Sequence, residues 1–136
     1  MADVTITPAN VQTSSTQTKT GTAGVAITAG ESLVALASDG GKLHLAKGDT
    51  TLNAACVGVA LNNAAAGQPV FYQAVGLITI GGTVAIGTPY VVSAANGGGI
   101  APWSDLVSTN KVTFLGYATT AGILNLNIQA TGVAIP

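Results

Sequence analysis

Between Gly122 and Ala130 the chain reads GILNLNIQA, so that Leu124, Leu126 and Ile128 alternate with Asn125, Asn127 and Gln129. A period of two sends successive side chains to opposite faces and predicts a strand with one face on a core and the other in water. The same reading applies to KLHLAK, with Leu43 and Leu45 on the core face and Lys42, His44 and Ala46 on the solvent face. Shorter β-rich runs recur as SLVALAS, CVGVAL, PVFYQA, GLITI, PYVVS and KVTFLGYAT. Turn residues separate them: Asp39-Gly40-Gly41, Asn62-Asn63, Gly67, Gly81-Gly82, Gly87 and Asn96-Gly97-Gly98. Helix is expected only as a turn or two in TTLNAA and in APWSDL, where Pro102 would sit in the first turn. Many short strands with glycine-rich turns predict an all-β fold, a small β-barrel or sandwich.

The pattern also repeats. Gly30, Asp39, Gly40, Gly41 and Leu43 match Gly87, Asn96, Gly97, Gly98 and Ile100 at a constant offset of 57 positions. With one insertion Val57–Ala60 meets Leu115–Ala118, and after a short deletion the AVG at Gly76 meets the ATG at Gly132. These matches predict two similar repeats, about 25–82 and 83–136, within a single β domain of residues 25–136.

Residues 1–24 differ from this. After DVTIT they are dominated by Thr, Ser, Gln and Gly, with too little apolar surface to offset the entropy of ordering alone. They are expected to form an extended N-terminal arm. Within it Val4 and Ile6 alternate with Asp3, Thr5 and Thr7 before Pro8 ends the run. A strand of that length needs a sheet edge to pair with, so Asp3, Val4, Thr5, Ile6 and Thr7 are the candidate partner contacts.

Composition narrows the function. Only 7% of the 136 residues are charged, the net charge is −1, and the four basic residues are all lysine. No basic surface remains to neutralise a run of phosphates, so nucleic acid is not an expected partner. A sequence this apolar with near-zero net charge is expected to associate with copies of itself. No apolar run reaches the ~20 residues of a membrane span, and MADVTITPAN lacks the features of a secretory signal. The reading is a product made in the cytoplasm, with no membrane partner.

Catalytic chemistry finds little to work with. The single histidine, His44, corresponds to Ala101 in the other repeat and falls on an expected solvent face. Asp39 beside it is explained by the Asp-Gly-Gly turn. Cys56 reads as a small buried hydrophobe. Metal ligation wants clustered ligands, and here one His, one Cys and five acids are scattered, with Asp49 and Asp105 in different copies. We therefore expect no enzyme, no catalytic residues, no metal and no cofactor.

A family resemblance bears on what remains. The segments ITAGESLVALASDGGKLHLAKGD, CVGVALNNAAAGQPVFYQAVGLITIGG and GTPYVVSAANGGGIAP resemble the small capsid decoration, or cement, proteins of tailed bacteriophages. The resemblance runs from about Gly24 to Pro136. It implies a structural virion protein, often a homotrimer, that binds the major capsid protein on the outside of an assembled head and stabilises it. It would be made in the bacterial host cytoplasm and end on the capsid surface. The alternative is a receptor- or glycan-binding head-fibre or tail-tip module, in which Trp103, Tyr72, Tyr90 and Tyr117 could stack on sugars. Against that alternative, the three tyrosines lie in strand runs and are expected to pack in the core, with Trp103 capping a loop.

Overall fold

The computed structural model describes residues 3–13 and 17–135, and it is all-β: two antiparallel sheets of six and five strands. The first sheet takes β1 (Gln12–Thr13), β7 (Val75–Thr79), β8 (Pro89–Val92), β9 (Ile100–Pro102), β10 (Lys111–Thr120) and β11 (Ile123–Ala134). The second takes β2 (Thr18–Thr22), β3 (Ser32–Leu36), β4 (Lys42–Leu45), β5 (Cys56–Ala60) and β6 (Pro69–Gln73). Their orders are β1-β7-β11-β10-β8-β9 and β2-β6-β5-β3-β4. Neither sheet closes into a barrel, and the arrangement is sandwich-like.

Every run read as a strand within residues 25–136 forms one. TTLNAA yields the single turn of α1 (Thr51–Ala54), capped by Thr50, whose hydroxyl accepts from the Asn53 N–H at 3.1 Å. APWSDL gives only a 3-10 turn, Trp103–Asp105, and Pro102 is the last residue of β9, so it precedes that turn rather than entering it.

The two sheets are the two repeats. Removing β1 leaves β7-β11-β10-β8-β9 against β2-β6-β5-β3-β4, the same order built from corresponding strands. β2 and β7 begin 57 positions apart, the offset that also relates Gly30 to Gly87. Gly30 and Gly87 both take positive φ, and so do Gly41 and Gly98; Gly76 and Gly132 do as well, but both lie in the six-stranded sheet, in β7 and β11, so that match does not relate one sheet to the other. The structure moves the expected boundaries. The chain passes from one sheet to the other at Ala74, between β6 and β7, and the first repeat begins at β2 rather than at 25. Thr18–Thr22, assigned by its composition to the arm, pairs along its length with β6, from Thr18–Gln73 to Thr22–Pro69.

Two clusters hold the fold. The main one joins Val34, Cys56 and Val59 of the five-stranded sheet to Ile78, Tyr90, Val92, Ile100, Leu115, Leu124 and Leu126 of the six-stranded sheet. The second gathers Leu33, Leu43, Ala60 and Val70 with Ala23, Ile27 and Ala64. In β3 and β5 neighbouring residues serve different clusters, Leu33 and Ala60 one, Val34 and Val59 the other. That explains why those strands read as continuous apolar runs rather than alternating ones.

Candidate partner-binding surfaces

The segment Asp3–Val11 lies on its own chain. The Val4 N–H donates to the Ile100 carbonyl at 2.8 Å and the Thr7 N–H to the Gly81 carbonyl at 2.8 Å. Asp3 Oδ1 accepts from the Ser93 hydroxyl at 2.9 Å, and Asp3 Oδ2 accepts from Asn96 Nδ2 at 3.0 Å. Val4 and Ile6 pack, half-buried, against the main cluster, and Val11 is buried in it. Glycines make room for this strap. A Cβ on Gly81 would meet the Thr7 carbonyl oxygen at 2.6 Å and one on Gly30 would meet Ile6 Cγ2 at 2.6 Å, while Gly82 and Gly99 lie equally close to the Thr5 carbonyl and to the Asp3 carboxylate. None of Asp3, Val4, Thr5, Ile6 and Thr7 is in a strand, and the expected free arm is here a strap across the second repeat. In the first repeat Leu43, the counterpart of Ile100, receives the Gly24 N–H at 2.8 Å, so that repeat fills from within the position the strap fills in the second.

His44 does not stand on an open face. It is half-buried opposite Val34 across β3 and β4, and its Nε2 lies 2.7 Å from Asp39 Oδ2, both packed on Gly24. The His–Asp contact thus pins the turn after β3 to the strand that follows. Cys56 is buried; burial pushes its thiol up to about 12, with the Gly58 and Leu33 backbone groups acting weakly in the opposite direction. At neutral pH it stays a thiol, donating to the Gly58 carbonyl at 3.4 Å, and its burial disfavours the thiolate that a nucleophile needs.

The carboxylates serve local structure. Asp49 accepts from Asn53 Nδ2 at 3.0 Å and lies 3.9 Å from Lys47 Nζ. Glu31 Oε1 accepts the Thr28 N–H at 2.6 Å. Its carboxyl is held above its usual value because burial outweighs that hydrogen bond. Asp105 lines a cleft of about 410 Å3 with Asp3, Ser93, Asn96 and Asn110. Among the described residues no group of three or more His, Cys, Asp or Glu side chains comes together to hold a metal ion. No helix among them is long and apolar enough to cross a membrane.

The aromatic residues divide. Tyr90 is buried, its hydroxyl accepting the Ala85 N–H at 2.8 Å, and Tyr72 packs half-buried on the second cluster. Tyr117 is not in the core: it is 49% exposed on the outer face of the six-stranded sheet, and Trp103 is 56% exposed. Strand register places Leu77, Asn125, Tyr117 and Pro89 in one row across β7, β11, β10 and β8, with Gln129, Phe114 and Val91 in another. Pro89, Phe114, Tyr117, Asn127 and Gln129 line a shallow groove of about 300 Å3 on this face. Sequence reading missed it because aromatic residues in a strand run are more often inside, and the bulges in β10 between Phe114 and Gly116 shift the alternation.

Comparison of the chain with protein-family models, with curated proteins and with solved structures finds no match.

Proposed function

We propose that this chain is a structural protein of a tailed-phage head, a decoration protein that binds the outer capsid surface through the major capsid protein and reinforces it. The reading is carried by where the phage-like cadence falls in the fold. Its recurring positions are turn glycines at positive φ, such as Gly30, Gly40, Gly41, Gly67 and Gly87, and buried apolar residues of both clusters, such as Leu33, Val34, Val59 and Val70. They are the positions that fix a β scaffold, so the resemblance supports likeness of scaffold, and the function follows by analogy from it. The sparse charge and the pairing of His44 with Asp39 fit a role in packing and adhesion better than one in chemistry. Strand addition to a capsid edge through Asp3–Thr7 requires the strap to leave its glycine cradle, which would expose Val4 and Ile6, whereas the exposed Thr5 and Thr7 side chains can meet a head from the docked position.

The test is to mix the purified full chain with heads of the source phage that lack it. Saturable co-sedimentation, density outside the capsid shell and greater resistance of filled heads to heating are the expected results. Absence of binding to heads that otherwise assemble normally overturns the reading. The two exposed aromatics, Trp103 and Tyr117, favour a second reading, a glycan- or receptor-binding module. Binding to a glycan array that is lost in Trp103→Ala or Tyr117→Ala, without head binding, would establish it.

A further inference from the structure

The duplication allows the two repeats to be compared position by position. In the first repeat Ser32, Val34, Cys56, Val59 and Gln73 are all buried, with Val34, Cys56 and Val59 in the cluster shared with the second repeat. Gln73 reaches into that repeat directly, its Nε2 donating to the Val75 carbonyl at 3.0 Å and the Leu77 carbonyl at 2.9 Å. The corresponding residues of the second repeat are Pro89, Val91, Phe114 and Tyr117 by the offsets of 57 and 58, and Asn127, which lies opposite Val75 as Gln73 lies opposite Thr18. Of these only Val91 is buried: Phe114 is 38% exposed, Tyr117 is 49% exposed, Asn127 is exposed and Pro89 is half-buried. The face that the first repeat uses to pack on its neighbour is therefore uncovered in the second along β10 and β11, at Phe114, Tyr117 and Asn127.

The replacements on that uncovered face suit contact. Cys56 and Val59, small and buried, become Phe114 and Tyr117, and aromatic residues are the side chains that anchor protein interfaces. Val75 and Leu77 extend the apolar area across β7, where their counterparts Thr18 and Thr20 are polar. Asn125, Asn127 and Gln129 run down its centre on β11, offering both donors and acceptors. None of these residues is charged, so a strongly acidic or basic partner finds no complement there, whereas a second copy of this nearly uncharged chain meets it without repulsion.

We propose that the outer face of β7, β11 and β10, centred on Phe114, Tyr117 and Leu77, is the surface through which one copy of this chain packs against a second, continuing between copies the contact that joins the repeats within one. The partner is the same chain, and the proposal stands whether or not the assembly binds a phage head.

The experiment uses the full chain at several concentrations, with light scattering behind gel filtration and hydrogen exchange read by mass spectrometry. The parent is expected to be an oligomer, with protection of peptides covering 75–79, 114–117 and 123–129 rising with concentration. Leu77→Lys with Tyr117→Lys is expected to yield a monomer with unchanged circular dichroism and a cooperative melt, while Phe71→Lys, an exposed aromatic on the other sheet, leaves the oligomer intact. A parent that is monomeric at every concentration overturns the proposal. So does an oligomer that survives the double lysine variant. Should that variant fail to fold, exchange on the parent decides: protection rising only outside these three strands overturns the proposal, and protection rising within them upholds it.

Discussion

Two side chains in adjoining parts of the first repeat show how burial decides behaviour. Cys56 sits in β5, and at a thiol value of about 12 almost none of it is thiolate at neutral pH. It should resist alkylation in the native protein and react fully in denaturant; fast native labelling, followed by mass spectrometry, would contradict its place in the core. Glu31 is the opposite case of a group that pays for its position in pH dependence. Its folded-state value is raised by burial, so the folded protein holds the proton more tightly than the unfolded chain, and stability falls as pH rises through the carboxylate range. Glu31→Gln keeps an oxygen to accept the Thr28 N–H and removes the ionisation. The variant should be at least as stable as the parent at neutral pH and lose that advantage at acid pH, as read from denaturant midpoints across the range. The burial of Cys56 was legible in its apolar flanks, AACVGVAL. The raised value of Glu31 was not, because it depends on Gly98 bringing a distant turn against the carboxylate.

At the scale of elements, alternation was legible where one face is wet and illegible where both are covered or neither is apolar. Leu124 and Leu126 are buried and Asn127 is exposed, as their spacing implies. β2 is the contrary case: TKTGT has no apolar residue, and its strand conformation comes from the ladder that β6 offers it. The strap went unrecognised for a similar reason, since its anchors are glycines up to about a hundred residues away in sequence, and nothing local to Asp3–Val11 marks them. Its docking reverses the stability expected of a free arm. Deleting residues 2–11 removes the Asp3 hydrogen bonds and uncovers Val4, Ile6 and Val11 sites on the main cluster, a loss of about 2–3 kcal/mol. The melting temperature should fall by roughly 5–10 °C. Gly82→Ala offers a finer cut, because the new Cβ would collide with the Thr5 carbonyl. It should raise hydrogen exchange at the Thr7 amide while leaving β10 and β11 protected, and unchanged exchange there would show that the strap is held by other contacts.

For the whole molecule, two repeats that each make a sheet could in principle fold as independent units, and the arrangement of the core argues that they do not. The recurrence of Asp/Asn-Gly-Gly and of Gly30 and Gly87 was enough to find the duplication, because positive φ leaves a mark in sequence. How the copies meet was not, because that depends on which face each repeat presents, and Val34, Cys56 and Val59 look no different in sequence from residues of a closed core. Those three belong to one cluster with Ile78, Leu124 and Leu126 of the other sheet, so unfolding either sheet exposes apolar surface of both. A single cooperative transition follows. It can be tested with two probes native to the chain: Trp103 fluorescence reports the six-stranded sheet, and Cys56 labelling reports the five-stranded one. Their midpoints should coincide in urea. Val59→Ala removes two methyl groups at a site with no exposure and should cost about 2 kcal/mol. Because the cavity opens in the shared cluster, it should lower both midpoints together, although Trp103 lies on the other repeat. A shift confined to Cys56 labelling would show that the sheets unfold separately, and the contact between repeats would then be too weak to serve as the pattern for a contact between copies.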